Sequence, residues 1–191
     1  MKKTVAVIGS RGAIGNAVVD TLLADESVEA VFKFSRAEIT EHDDKVKHIF
    51  IDIEDEESIK QATESLPEDT KFDLIFVATG ILHDEKNVFP EKSIKDISFE
   101  KLIKVLTINT IGPTLVGKYF IPYLRKDSKS TFAFLSARVG SISDNKLGGW
   151  YSYRASKTAL NQIIRNFSIE VARSNKNAIF IGLQPGTVKS L

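Results

Sequence analysis

The 191-residue chain contains no cysteine. That absence removes disulfides, thiolate metal sites and cysteine nucleophiles together. It also suits a reducing compartment, so a cytoplasmic location is expected. Charge of one sign is scarce too, because 26 Lys and Arg against 25 Asp and Glu leave a formal net charge of +1. No global field is available to attract nucleic acid or an anionic membrane, and neither is expected as a partner. Long apolar runs are also missing. After Met1-Lys2-Lys3, the run Val5-Ala6-Val7-Ile8 is cut by Gly9-Ser10-Arg11-Gly12, short of the ~7–15 apolar residues of a secretory signal. Nothing approaches the ~18 that would span a bilayer. His42, His48 and His83 lack metal-ligand spacing, so no metal site is expected.

What the chain does have is alternation. Short apolar runs at 4–8, 30–35, 47–52, 73–78, 130–136 and 177–183 are separated by helical periodicities at 14–24, 55–65, 98–124 and 150–174. Runs apolar on both faces, alternating with helices, predict a doubly wound parallel sheet with helices on both faces. The length fits one domain over 1–191, since single domains run to ~100–200 residues. Ser98 and Glu100 predict a capped, dipole-matched start for the long third helix, and the acidic run 54–57 does the same for the second. The polar stretch 83–97 reads as a loop with one short helix. The pattern stops after the sixth strand, where such a fold is expected to carry a further helix and strand.

The turn after the first strand is Gly9-Ser10-Arg11-Gly12-Ala13-Ile14-Gly15. Glycines there permit a tight turn, close approach to a pyrophosphate and close helix–strand packing, while the helix N-terminus offers N–H groups to the phosphate. Gly9, Arg11, Gly12, Ile14 and Gly15 are therefore expected at a dinucleotide. The second strand ends Phe34-Ser35-Arg36 without the carboxylate that would hold a free ribose 2′-hydroxyl. Ser35 can donate to a 2′-phosphate and Arg36 can pair with it bidentately, with Arg11 nearby, so NADP(H) is the expected cofactor. Asp52 and Ile53 are expected at the adenine, with a capping role open for Asp52. Ala78, Thr79 and Gly80, at the end of the fourth strand, are small enough for the ribose side of a cofactor to approach.

Near the start of the fourth helix the chain reads Trp150-Tyr-Ser-Tyr153-Arg-Ala-Ser-Lys157. Tyr153 and Lys157 are four apart and share a helical face, whereas Tyr151 faces away. A phenol of pKa near ~10 is a poor proton donor and acceptor at neutral pH, and a neighbouring ammonium is expected to lower it. Trp150 and Tyr151 are open to either core packing or a substrate pocket.

The glycine turn, Asn109, Tyr153-Arg-Ala-Ser-Lys157 and Pro185-Gly186 together resemble the short-chain dehydrogenase/reductase family, and the stretch 141–157 is similar to its C-factor-like and sniffer-like carbonyl reductases. The resemblance implies a Rossmann-type fold and hydride exchange between a nicotinamide and a carbonyl or alcohol. It further implies Tyr153 as proton donor, Lys157 holding the ribose, Asn109 supporting a relay water, and Pro185, Gly186 and Val188 beside the nicotinamide. It also implies a homo-dimer or homo-tetramer. A nucleotide-binding signalling protein with little turnover is the alternative.

Three features depart from the family pattern. The glycines are spaced G-x-x-G-x-x-G with Ala13 where a glycine is usual, and Val77-Ala78 replaces a pair of asparagines. Ala137 stands where the family serine belongs, so Ser136 is expected to supply that donor, with Ser141 or no donor as the other possibilities.

Overall fold

The computed structural model describes residues 2–37, 44–84 and 88–186. Its strands are β1 Lys3–Ile8, β2 Val28–Ser35, β3 Val46–Phe50, β4 Leu74–Val77, β5 Ser130–Leu135 and β6 Ala178–Leu183. They pair in parallel throughout, in the order β3-β2-β1-β4-β5-β6. The helices are α1 Ala13–Ala24, α2 Glu56–Glu64, α3 Phe99–Leu106, α4 Gly112–Phe120 and α5 Tyr151–Val171. This is the expected doubly wound sheet.

The central strands are apolar on both faces because each face meets a different core. Side chains alternate across a strand, so Ala6 and Ile8 of β1 enter one core while Val5 and Val7 enter the other. In β5, Phe132 and Phe134 join the first core and Ala133 the second. The larger core takes Ile59 from α2, Val116 and Phe120 from α4, and Leu160 from α5; the smaller takes Val19 from α1. Had either face been open to water, alternate strand residues would have been polar.

Two local expectations hold in detail. Ser98 caps α3 by accepting from the Lys101 N–H, with Glu100 in the first turn. Asp55 caps α2 by accepting from the Glu57 N–H, and Glu56 and Glu57 follow. The loop before α3 contains one short turn, Ile94–Asp96, closed by a reciprocal Ser93–Asp96 capping box.

The long helix expected over 98–124 is interrupted. Between α3 and α4 the chain widens into a π turn, Thr107–Ile111, and α4 runs out into a tight turn at Ile121–Tyr123. Pro113 gives the physical reason, because it has no N–H to offer the Asn109 carbonyl four residues earlier. Gly112 then allows close packing: a Cβ there would stand 2.6 Å from the Ile53 carbonyl oxygen. Such interruptions often mark functional sites, and this one holds Asn109.

The chain leaves β1 toward β2 and β3 on one side, and toward β4, β5 and β6 on the other. A crevice therefore opens beyond the carboxyl ends of β1 and β4. Among the described residues, no helix is long and apolar enough to cross a membrane.

Candidate active site

That crevice is a cleft of about 490 Å³. Its walls come from the turns after four strands: Gly9, Arg11 and Gly12 after β1, Ser35–Ala37 at the end of β2, Ile51–Glu54 after β3, and Ala78–Ile81 after β4. The sequence-expected residues Gly9, Arg11, Gly12, Ser35, Arg36, Asp52, Ile53, Ala78, Thr79 and Gly80 all line it. Ala37, Ile51, Glu54, Ile81 and Ile108 also line it and were not anticipated. Glu54 is the one of these with a readable signal, as it directly follows Asp52-Ile53.

The glycine turn is held in shape by the backbone. Gly9 sits at φ +79, and the Gly9 and Ser10 N–H groups both donate to the Phe34 carbonyl. Gly12 caps α1 in an extended conformation with no side-chain bond to the first-turn N–H groups. Those groups remain available to an anion. Gly15 plays a different part, since a Cβ there would lie 2.2 Å from the Gly9 carbonyl oxygen. At Gly12 the same oxygen would be 3.5 Å away, an ordinary contact. Gly15→Ala is therefore expected to cost about 1–3 kcal/mol by overpacking, whereas Gly12→Ala stays within about 1 kcal/mol. Denaturant midpoints of the two variants measure the difference, and equal midpoints would contradict this assignment.

Ile14 and Gly15 do not line the cleft; Ile14 packs against the smaller core, behind the turn. Ala13 opens α1 on the exposed side, so the methyl at this departure from the family spacing meets solvent. Asp52 accepts from the Glu54 N–H through Oδ1, shaping the loop on the cleft wall, and Asp55 rather than Asp52 caps α2. Arg36 is 69% exposed and approaches Glu54 at 4.0 Å, a loose pair that Lys104 shares at 2.7 Å. A contact of that length and exposure contributes little. Thr79 carries a buried Oγ1 with no hydrogen-bond partner among the described residues. A buried hydroxyl left this way on a ligand-sized wall fits a bound polar group.

Beyond Gly80 the cleft meets the face of α5. Lys157 is 2% exposed, and its Nζ donates to the Leu135 carbonyl at 2.7 Å. The same Nζ would stand 3.1 Å from a Cβ on Gly80, so the glycine makes room for it. Nζ also lies 5.8 Å from the centroid of the Tyr153 ring. Tyr153 is half-buried, whereas Tyr151 is exposed, as the helical spacing requires. Burial pushes the Lys157 ammonium down to about 8 and pushes the Tyr153 phenol up. The expectation that the lysine lowers the phenol is thus reversed here, because desolvation disfavours both charged forms.

Asn109, fully buried in the π turn, clamps the exit of β4. Its Oδ1 accepts from the Ile81 N–H at 2.7 Å, and its Nδ2 donates to the Ile81 carbonyl at 2.8 Å and to Ser156 Oγ at 3.0 Å. Both amide hydrogens are therefore used within the protein. Ser156 Oγ in turn donates to the Tyr153 carbonyl.

Ser136 Oγ donates to Asn161 Oδ1 at 2.6 Å. A hydroxyl has one hydrogen to give, so this bond must break before Ser136 can donate elsewhere. Ser141 pairs with Ser143 Oγ at 3.3 Å in a turn of its own. Pro185 and Gly186 follow β6 in exposed positions outside the cleft lining. Val188 lies outside the described residues.

Comparison with known proteins agrees with this fold. The short chain dehydrogenase family profile matches residues 3–191. C-signal of Myxococcus xanthus is 32% identical over 98 residues, spanning 51% of this chain and 58% of that protein. The 1-hydroxy-2-glutathionyl-2-methyl-3-butene dehydrogenase of Rhodococcus sp. (strain AD45) is 27% identical over 97% of this chain and 77% of its own length. Among solved structures, an NADPH-bound carbonyl reductase from chicken fatty liver superposes with a TM-score of 0.85 at 26% identity, covering 99% of this chain and 77% of that one. Carbonyl reductase Sniffer of D. melanogaster shares the fold, with a TM-score of 0.86 at 21% identity over 100% of this chain and 83% of that one.

Proposed function

Since the chain belongs to the short-chain dehydrogenase family, we propose that it is an NADP(H)-dependent oxidoreductase acting on a carbonyl or alcohol, with Tyr153 as acid and base. The observation that carries this reading is the junction at Gly80. There the cleft wall formed by Ala78 and Thr79 runs directly under the Lys157 ammonium, and Lys157 faces the Tyr153 ring. An acid–base pair at the end of a dinucleotide cleft is the arrangement that hydride transfer requires.

A bound nicotinamide would supply or accept the hydride. The protein's own part is to hold and to move one proton. In the reducing direction Tyr153 Oη gives its proton to the carbonyl oxygen as negative charge develops there. Its raised pKa keeps that proton in place at neutral pH. Lys157, still mostly protonated at pH 7 with a pKa of about 8, stabilises the phenolate left behind and can donate to a ribose hydroxyl. Asn109 acts as a positioning residue through Ile81 and Ser156. Because Pro113 deprives the Asn109 carbonyl of its α-helical partner, that carbonyl, rather than the side-chain amide, is suited to hold a relay water. Ser136 Oγ can donate to a substrate oxygen only after its bond to Asn161 opens.

At the other end of the cleft, the α1 N-terminus takes the pyrophosphate, while Arg11, Ser35 and Arg36 take a 2′-phosphate. The NADPH-bound chicken carbonyl reductase supports this choice. The loose Arg36–Glu54 pair leaves the guanidinium free to turn toward a phosphate at little cost.

The test follows oxidation of NADPH and NADH against a panel of aliphatic and aromatic aldehydes and ketones. NADPH is expected to be preferred, and Arg36→Ala to raise its KM by about 10–100-fold, the worth of one charge-assisted contact. The KM for NADH should move by less than about twofold. A preference for NADH would overturn the assignment of the arginines. Tight NADPH binding without turnover of any carbonyl would instead favour a binding protein. That second reading draws on Ala137 and on the Ser136 hydroxyl engaged with Asn161.

A further inference from the structure

Glu91 lies in the stretch that reads from sequence as an irregular loop, yet it is 2% exposed. A buried carboxylate needs partners, and no lysine or arginine among the described residues pairs with it. Both of its oxygens instead meet one residue, Ser152. Oε2 accepts from the Ser152 N–H at 3.2 Å, and Oε1 accepts from Ser152 Oγ. Ser152 is itself 1% exposed and immediately precedes Tyr153.

The main chain repeats the connection. Gly148, Gly149 and Trp150 all have positive φ, at 65, 65 and 53, so three successive residues turn the chain sharply into α5. That conformation is disfavoured for a bulky aromatic residue. The Trp150 N–H donates to the Glu91 carbonyl, and a Cβ on Gly149 would come within 3.3 Å of the same oxygen. No side chain of the Trp150 cap bonds the first turn of α5. Glu91, 61 residues earlier in the chain, provides that acceptor and places an anion at the positive end of the helix dipole.

We infer that Glu91 is a positioning residue for the proton donor, a distant cap whose carboxylate fixes the first turn of α5 and so the placement of Tyr153. The inference rests on the proposed role of Tyr153. Acid catalysis demands hydrogen-bond reach to the substrate oxygen, and small misplacements are costly to rate. Since Glu91 stands outside the dinucleotide cleft lining, losing its carboxylate should affect the chemical step and spare cofactor binding.

The test compares Glu91→Ala, Glu91→Gln and Ser152→Ala with the parent chain. Turnover of the best aldehyde or ketone of the panel, NADPH affinity by fluorescence, and amide hydrogen exchange at residues 151–154 are measured for each. Glu91→Ala is expected to lower kcat by about 10–100-fold with NADPH affinity within twofold, and to speed exchange at Ser152 and Tyr153 by at least about tenfold. Glu91→Gln keeps one acceptor oxygen and should recover part of the loss. Combining it with Ser152→Ala should cost less than the sum of the two. Unchanged kcat and exchange in a folded Glu91→Ala protein would overturn the inference. So would equal falls in kcat, NADPH affinity and melting temperature in both the Ala and Gln variants, which would mark a general stabilising role. Should the parent chain reduce no carbonyl, the exchange measurement still decides whether Glu91 anchors α5.

Discussion

Tyr153→Phe is expected to lower kcat for carbonyl reduction by about 10²–10⁴-fold, the usual worth of a positioned general acid, while leaving NADPH affinity within about twofold. The substitution removes one oxygen. The ring, its edge contact with Trp150 at 6.3 Å and its place under the Lys157 ammonium are all kept. Tyr153 Oη has no hydrogen-bonded protein partner among the described residues, so folding should be nearly indifferent to its loss. Single-turnover kinetics with the enzyme saturated in NADPH would read the chemical step directly. A fall in rate matched by an equal rise in cofactor Kd would refute the role. So would a Tyr151→Phe variant that loses as much, because Tyr151 is exposed on the other side of the helix.

The cleft was largely legible in the sequence because most of its lining residues are local. A glycine turn must follow the first strand, small residues must end the fourth, and each lies within a few positions of its own strand. The same holds for the sheet, since runs apolar on both faces have few other uses. Contacts made across the chain were not legible. Glu91 meets Ser152 at a separation of 61 residues, and Ser136 meets Asn161 at 25. No periodicity announces either pair. The break at Thr107–Ile111 is intermediate: Gly112-Pro113 could have predicted it, but the apolar periodicity of 98–124 continues through it. The sign of the Tyr153 shift is not legible in the sequence for another reason. Spacing reveals that an ammonium is near, but not that the lysine is buried and the phenol half-buried.

That burial makes Lys157→Met the most informative substitution after Tyr153→Phe. The lysine's folded pKa of about 8 lies below its ordinary 10.5 because burial disfavours the ammonium. Between those values the unfolded chain holds a proton that the folded chain has released, so stability rises as pH climbs from about 8 toward 10.5. Below pH 8 the whole penalty is present, on the order of 3 kcal/mol for a shift of this size. Methionine fills a similar volume without charge, but leaves the Leu135 carbonyl without its 2.7 Å donor, at a cost of about 1–3 kcal/mol. The variant is therefore expected to be more stable than the parent by up to about 2 kcal/mol at pH 7. The advantage should shrink above pH 8 and reverse before pH 10.5, once the falling penalty drops below the cost of the lost hydrogen bond. Carbonyl reduction should meanwhile fall by about 10²–10⁴-fold. In the parent chain, kcat/KM for reduction should decline as pH rises through about 8, where Lys157 loses its proton while Tyr153 keeps its own. Denaturant unfolding of both proteins at pH 6, 7, 8, 9 and 10 supplies the check. A stability difference that stays constant over that range would mean the buried lysine is not the group that titrates.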